Sequence, residues 1–244
     1  MKKIIIYGGT SLISIELIIK FSNEVDEFLI FCRNKNKFLN LIKDKDKNNF
    51  LIDKIKIFEV DLINLKDNIE FIKSLKQNYY DGLLFVSGET GDPELEFEDY
   101  ELCLKNYKIN LLHPVILINI MIEKLKSQNS FICVFTSVAG IRGRALRLYY
   151  CSAKSGLISY LSGLRQKLET KNILVSNVIA GYMNTEKFKY SDSKFLVSEP
   201  IDVAKTVYNG IVRKKENIYT NYKWLIISLI LKIIPEKIFK KLKF

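Results

Sequence analysis

The sequence contains few of the side chains from which metal centres and disulfide frameworks are built. Its 244 residues include one histidine and four cysteines, which stand at positions 32, 103, 133 and 151. This spacing does not match a zinc motif, and Cys32 and Cys133 fall within apolar runs typical of buried strands. We therefore predict no metal site and a reduced, cytoplasmic chain. His113 is expected to be a packing or surface residue, not a base.

Long apolar segments are also missing. The basic N-terminus precedes only a short apolar run without a small-residue cleavage site, so no signal peptide is predicted. The apolar stretch at 223–235 is interrupted by a lysine and a proline, and it is shorter than the ~20 residues that a membrane-spanning helix needs. With no internal repeat or linker, the sequence predicts one domain at 1–220 and a C-terminal helical segment at 221–244.

Positive charge outweighs negative charge, with 38 Lys and Arg against 27 Asp and Glu. Residues 221–244 hold six lysines and one glutamate, and Trp224 with an apolar run precedes the basic end. Such a segment is typical of a helix that lies on an anionic leaflet, which would place the protein peripherally on the inner face of the membrane. The alternative is that it packs against a second subunit. No nucleic-acid partner is predicted, because no aromatic-basic binding motif accompanies the lysines.

Apolar runs alternate along the chain with segments of helical periodicity. This alternation predicts a doubly wound, parallel α/β sheet with helices on both faces. The predicted strands are near residues 3–7, 27–31, 55–60, 82–86, 130–136 and 173–179. The predicted helices are near residues 11–21, 34–45, 64–76, 98–126, 149–170 and 201–213. Residues 186–199 lack a clear period and are expected to form a mobile lid.

A glycine turn follows the first predicted strand. Gly8 and Gly9 come directly after the apolar run 3–7, and a helical pattern begins shortly after them. Strand, glycine turn and helix form the arrangement that binds dinucleotide phosphates, because the backbone can approach closely and the helix N-terminus attracts anions. The residues predicted to bind a cofactor here are Gly8, Thr10, Ser11, Leu12 and Ile13.

Tyr150 and Lys154 stand four residues apart and therefore lie on one face of a predicted helix. An ammonium group near a phenol favours the phenolate and lowers the pKa of the tyrosine from ~10. Ser137 follows the buried-strand run at 131–135, where its hydroxyl can hydrogen-bond the same substrate oxygen. These side chains predict a site for proton transfer to a carbonyl oxygen.

With the glycine turn, Ser137 and the Tyr150–Lys154 pair in this order, the sequence resembles the classical short-chain dehydrogenase/reductase family over about residues 1–215. The resemblance implies a Rossmann-type domain that binds NAD(P) and reduces a ketone or oxidises a secondary alcohol. It implies that Tyr150 is the acid, that Lys154 also binds the nicotinamide ribose, and that Ser137 polarises the carbonyl. Asn110 is similar to the helical asparagine that holds a proton-relay water. Many members pair into homo-oligomers.

The resemblance also implies contacts to the rest of the cofactor. The residues at matching positions are Asp61 and Leu62 for the adenine, Ser87 and Gly88 for the ribose, and Gly181, Met183 and Thr185 for the loop over the nicotinamide. The sequence departs from the family at several of its motifs. Leu12 and Ser14 stand where glycines are usual, Val86 begins the segment that usually reads Asn-Ala-Gly, and Ala180 replaces a proline.

No acidic residue ends the second predicted strand, where NAD-dependent proteins place one for the ribose 2′-hydroxyl. Arg33 stands there instead and can pair with a 2′-phosphate, while Lys35 and Lys37 add positive charge. The alternative is that these residues only form the solvated start of a helix. The sequence favours NADP(H) over NAD(H).

The Gly-Gly-Thr-Ser start, the altered ribose loop and the apolar-basic tail are together similar to one bacterial subgroup of the family. It includes the keto-reductase of decaprenylphosphoryl-arabinose synthesis and reductases found with surface-polysaccharide genes. This resemblance implies a lipid-linked keto-sugar as substrate. A soluble reductase of small carbonyl, acyl or steroid substrates would use the same residues. A non-catalytic NADP-binding scaffold would keep the fold without needing them.

Overall fold

The computed structural model describes residues 2–46, 50–92, 98–184 and 194–242. Within them, seven parallel strands form one sheet in the order β3-β2-β1-β4-β5-β6-β7. The strands are β1 Lys3–Tyr7, β2 Glu27–Cys32, β3 Ile55–Glu59, β4 Gly82–Phe85, β5 Phe131–Ser137, β6 Leu174–Ala180 and β7 Asn217–Tyr219. The strand order reverses direction beside β1, so the predicted doubly wound parallel fold is confirmed.

Helices cover both faces of the sheet. They are α1 Leu12–Phe21, α2 Lys35–Lys45, α3 Leu65–Ser74, α4 Tyr100–Tyr107, α5 His113–Met121, α6 Leu148–Leu168, α7 Pro200–Val212, α8 Tyr222–Ile233 and α9 Glu236–Phe239. One buried apolar cluster contains side chains of α1, α2 and α7, and a second contains those of α3, α5 and α6. Along β1, Ile4 and Ile6 enter the first cluster and Ile5 and Tyr7 the second. Because both faces are covered, the strands are apolar at nearly every position.

The single helix predicted at 98–126 is interrupted in the structure. α4 ends at Tyr107, a π-helical turn runs over Lys108–Leu112, and α5 begins at His113. In a regular α-helix the N–H of residue 114 would donate to the carbonyl of Asn110, but Pro114 has no N–H, so the backbone widens here. The turn places the fully buried Asn110 against the loop that follows β4.

β7 is a strand that the sequence pattern did not predict. Its three residues pair with β6 through Val178 and Ile218 and through the positions on either side of them. Three residues are too short a run for a period of two to be recognised. Ile218 nevertheless packs into the first apolar cluster.

α8 packs one of its faces against the end of the sheet. Trp224, Ser228 and Leu231 are buried, and Trp224 joins Val138 and Ile179 in a third apolar cluster. The opposite face exposes Leu225, Ile226, Leu229, Ile230 and Ile233. No helix in the part of the chain that the structure describes combines the length and the apolar character needed to cross a bilayer.

Candidate active site

The glycine turn after β1 lies directly against the loop after β4. Gly8 has a φ of +89°, and a Cβ atom there would stand 2.8 Å from both the backbone nitrogen and the Oγ of Ser87. The N–H groups of Gly8 and Gly9 donate to the carbonyl of Phe31 at 3.0 and 3.1 Å. Only glycine fits at position 8, because a side chain would be strained by the positive φ and would collide with Ser87.

Ser14 stabilises this turn in place of the usual glycine. Its side chain is fully buried, and its Oγ donates to the carbonyl of Gly8 at 2.8 Å. The departure from the family pattern at this position is therefore accommodated by a hydrogen bond that ties α1 to the turn.

The N-terminus of α1 faces the same edge of the sheet. Ser11 is the N-cap residue, and its side chain makes no capping hydrogen bond. The first N–H groups of a helix have no partner within the helix, which makes them donors for an anion such as a pyrophosphate. Thr10 and Leu12 are partly exposed at this point, whereas Ile13 is buried in the core. The cradle of Gly8 and the free end of α1 fit the phosphates of a dinucleotide.

The structure brings Ser137, Tyr150 and Lys154 together at the carboxyl edge of the sheet. Ser137 is the last residue of β5, and the other two lie in the first two turns of α6. The Ser137 side chain lies close enough to Tyr150 to lower the pKa of the phenol, and Ser137 Oγ accepts from the N–H of Ala139 at 3.1 Å. Tyr150 remains partly exposed, whereas Lys154 is only 3% exposed. A phenol beside a serine hydroxyl at this edge of the sheet is placed to reach a substrate oxygen.

Burial dominates the ionisation of both groups. Desolvation raises the pKa of Tyr150, and the nearby Ser137 side chain opposes this in part. Desolvation lowers the pKa of Lys154 to about 8. Lys154 Nζ donates to the carbonyl of Phe135 at 3.2 Å and lies 5.8 Å from the centroid of the Tyr150 ring. The predicted lowering of the pKa of the phenol by the ammonium is therefore not seen: burial raises the pKa of Tyr150, and Lys154 is not among the groups that shift it.

Asn110 and Lys154 meet beneath Gly88. A Cβ atom on Gly88 would stand 3.1 Å from Lys154 Nζ and 3.2 Å from Asn110 Oδ1. Asn110 Nδ2 donates to the carbonyl of Glu89 at 2.8 Å, and Asn110 Oδ1 accepts from the N–H of Glu89 at 3.2 Å. Asn110 therefore holds the loop after β4 beside the lysine, while its predicted hold on a water molecule stays a prediction.

Two of the residues predicted to contact the adenosine have specific local roles. Asp61 is exposed, and its Oδ1 accepts from the N–H of Ile63 at 3.0 Å, which shapes the turn after β3. Leu62 is buried, and its carbonyl accepts from Nδ1 of the buried His113 at 2.7 Å. This hydrogen bond helps to hold His113 within the packed interior. Arg33 follows β2 with 59% of its side chain exposed.

The predicted nicotinamide loop is held by α8. A Cβ atom on Gly181 would overlap the indole of Trp224, and the N–H of Gly181 donates to Thr220 Oγ1 at 3.2 Å. Trp224 Nε1 donates to the carbonyl of Leu196 at 3.0 Å, and Met183 pairs with Ser198 in an isolated bridge. Thr185 and residues 186–193 of the predicted lid lie outside the described residues.

Sequence reasoning missed the part that Trp224 and Arg147 play in this site. Arg147 Nη1 donates to the carbonyl of Thr90 at 2.8 Å, and its positive charge is one of the smaller influences that lower the pKa of Tyr150. Its place three residues before Tyr150, at the N-cap of α6, is the signal that could have identified it. Trp224 carried no such signal, because its contacts are with residues distant in the sequence.

Among the described residues, no group of three or more His, Cys, Asp or Glu side chains could hold a metal ion.

The glycine cradle lies at the switch point of a parallel sheet, which is where α/β folds of this class bind dinucleotides. Ser137, Tyr150 and Lys154 lie on the same edge, and side chains of these types can transfer a proton. The family model described as short chain dehydrogenase matches residues 2–194. The chain belongs to this family.

Curated relatives match the chain at low identity. A dehydrogenase/reductase SDR family protein 7-like from Dictyostelium discoideum is 26% identical over 196 residues, covering 76% of this chain and 60% of that protein. A 3-oxoacyl-[acyl-carrier-protein] reductase FabG from Aggregatibacter actinomycetemcomitans is 30% identical over 113 residues, covering 44% of this chain and 45% of that protein. The chain thus spans less than two thirds of the length of these relatives.

Solved structures share the whole fold. The bulky-bulky ketone specific alcohol dehydrogenase from Comamonas testosteroni superposes with a TM-score of 0.77 at 16% identity, covering 100% of this chain and 95% of the other. ElxO with NADP bound gives a TM-score of 0.75 at 19% identity, covering 92% of this chain and 99% of the other.

Proposed function

We propose that the protein is an NADP(H)-dependent oxidoreductase that reduces a ketone or oxidises a secondary alcohol. The observation that carries this proposal is the meeting of Ser137, Tyr150 and the buried Lys154 on the sheet edge that also holds the glycine cradle. When bound, the nicotinamide supplies or accepts the hydride. The family membership and the structural neighbour solved with NADP bound support this choice of chemistry.

The protein side chains handle the proton. Tyr150 donates its phenolic proton to the carbonyl oxygen during reduction, and Ser137 donates a hydrogen bond to the same oxygen. Lys154 places a positive charge near the phenolate that remains. Asn110 keeps the loop after β4 against Lys154, so that the wall of the site stays in place.

The cofactor preference rests on Arg33. A guanidinium pairs with a 2′-phosphate through charge-assisted hydrogen bonds worth about 1.5–3 kcal/mol. We expect Arg33→Met to weaken NADPH binding by roughly 10- to 100-fold. NADH binding should change little, because NADH has no 2′-phosphate.

Titration followed by nicotinamide fluorescence measures both affinities, and Arg213→Met is the matched control, since Arg213 is an exposed arginine at the end of α7. A wild-type protein that binds NADH more tightly than NADPH would show the cofactor assignment to be wrong. A protein that binds neither nucleotide would favour the non-catalytic scaffold.

We further propose a lipid-linked keto-sugar as substrate and peripheral contact of residues 221–244 with an anionic membrane. The exposed apolar face of α8 supports this proposal, as do the lysines that flank it and continue beyond it. α8 touches the segment next to the site through Lys223, whose Nζ lies 3.1 Å from the centroid of the exposed Phe195 ring. A membrane under α8 would therefore lie beside the segment that follows the predicted nicotinamide loop.

Two alternatives remain for the substrate and for this surface. A reductase of small carbonyl, acyl or steroid substrates is supported by relatives named as a 3-oxoacyl-[acyl-carrier-protein] reductase and a 17-beta-hydroxysteroid dehydrogenase. The apolar face of α8 would then be covered by a second copy of the chain.

Charge placed on the exposed face of α8 distinguishes the proposed membrane contact from the alternative contact with a second subunit. We expect the double variant Ile226→Glu and Ile230→Glu to reduce co-sedimentation with phosphatidylglycerol-containing vesicles at least about tenfold, because each change removes an apolar side chain from the lipid contact. The control is Ile201→Glu with Val212→Glu, two exposed apolar residues on α7. The subunit alternative would be established by two results together. The wild-type protein would not bind the vesicles, and sedimentation velocity would show a dimeric wild type and a monomeric double variant.

A further inference from the structure

Glu89 occupies a fixed position in the loop after β4, next to Gly88. Both its backbone groups are hydrogen-bonded to the side chain of Asn110, at 2.8 Å through the carbonyl and 3.2 Å through the N–H. Asn110 is itself fully buried in the π-helical turn. The backbone of Glu89 is thus held without help from its carboxylate, which leaves the carboxylate available for another role.

The carboxylate of Glu89 faces two cations. Its Oε1 lies 4.0 Å from Nη1 of Arg33, and its Oε2 lies 3.8 Å from Nζ of Lys105 on α4. Arg33 follows β2 and Glu89 follows β4, and β1 lies between these strands. The Arg33–Glu89 pair therefore reaches across the glycine turn, at the carboxyl edge where dinucleotides bind in this kind of sheet.

The negative and the positive side chains in this group favour different nicotinamide cofactors. A carboxylate accepts a hydrogen bond from a ribose 2′-hydroxyl and repels a 2′-phosphate, whereas a guanidinium and an ammonium attract the phosphate. With Glu89 ionised, the three side chains carry a net charge of about +1, and without it about +2. The carboxylate therefore works against the preference that Arg33 alone would impose.

We propose that Glu89 limits the selectivity of the site for NADPH over NADH, and that Lys105 is a second cation for the 2′-phosphate beside Arg33. This inference rests on the proposed function, because it assumes that a nicotinamide cofactor binds along this edge. It assigns roles to two residues that lie outside the family motifs.

The test measures dissociation constants of NADPH and NADH by nicotinamide fluorescence for Glu89→Gln and Lys105→Met. Glu89→Gln should raise the ratio of NADPH to NADH affinity about tenfold, and Lys105→Met should lower it about fivefold. Both effects should shrink when the salt concentration is raised from 0.05 to 0.5 M, because the charges are partly exposed (~10 Å screening length at 0.1 M). Glu101→Gln and Lys108→Met are the matched controls, since both residues are exposed and lie in the same helical stretch as Lys105.

The outcomes are distinguishable. A shift of the ratio in Glu89→Gln that neither control shows supports the inference. If the wild-type protein binds both nucleotides and Glu89→Gln leaves the ratio unchanged, the inference is overturned and the proposed function stands. If the wild-type protein binds neither nucleotide, the proposed function fails and the inference fails with it.

Discussion

Replacing Tyr150 with phenylalanine should lower kcat/KM for ketone reduction by about 10³, while NADPH binding is retained. The change removes the hydroxyl that lies near Ser137 and keeps the ring, so packing at the start of α6 is preserved. Loss of the acid removes a contribution that proton transfer makes only in the transition state, and kcat should therefore fall more than KM rises. Steady-state kinetics with a soluble ketone, together with nucleotide titration, measures both quantities.

The matched control for this variant is Tyr149→Phe. Tyr149 is the preceding residue of α6, and its ring packs edge-on against Tyr107 with centroids 6.1 Å apart. We expect this control to retain activity within a few-fold of wild type. If Tyr150→Phe also retained activity within tenfold of wild type, Tyr150 would not be the acid, and the proton would have to come from another group.

Replacing Lys154 with methionine should abolish most activity and at the same time stabilise the fold near neutral pH. Lys154 is 3% exposed and has a pKa lowered to about 8, against about 10.5 in an unfolded chain. Below pH 8 the folded protein buries a charge, which costs roughly 3 kcal/mol relative to an unperturbed lysine. Removing the ammonium also loses its hydrogen bond to Phe135, worth about 1 kcal/mol. The net gain at pH 7 should be about 2 kcal/mol.

The stability difference between Lys154→Met and the wild-type protein should depend on pH. Between pH 8 and 10.5 the unfolded chain binds the proton on Lys154 more tightly than the folded protein, so wild-type stability attributable to Lys154 rises with pH. The advantage of Lys154→Met should therefore be largest at pH 7 and shrink at pH 9.5, measured by urea unfolding without cofactor. Lys124→Met is the control, because buried Lys124 donates to the carbonyls of Lys73 and Leu75. It should destabilise the protein at both pH values, and a Lys154→Met protein that behaved in the same way would contradict the prediction.

The fold and the meeting of Ser137, Tyr150 and Lys154 could be predicted because they depend on local patterns. Apolar runs of strand length with helical segments between them specify a parallel sheet that is covered on both faces. Tyr150 and Lys154 are brought together by the helical repeat, and Ser137 by the end of a neighbouring strand. These relations need no knowledge of how distant segments pack.

The remaining features depend on contacts that a single sequence does not display. The π-helical turn at Asn110 follows from one missing N–H at Pro114, which leaves the apolar pattern of the helix unchanged. The meeting of Arg33 and Glu89 joins segments 56 positions apart through the order of three strands. Ser14 could be recognised as a departure from the family pattern, but its hydrogen bond to Gly8 appears only when the turn is folded.

α8 also determines when the site is completed as the chain is made. Its Trp224 holds Gly181 and Leu196, and its C-terminal carbonyl at Leu231 accepts from Arg142, which lies in the segment after Ser137, at 2.9 Å. Segments that precede and follow Tyr150 and Lys154 in the chain are thus held by residues that leave the ribosome after the whole sheet. Because chains fold from the N-terminus during synthesis, the sheet and its two main apolar clusters can form first. In a nascent chain that does not yet include α8, the sheet could already be folded, whereas the predicted nicotinamide loop would not yet be held by Trp224.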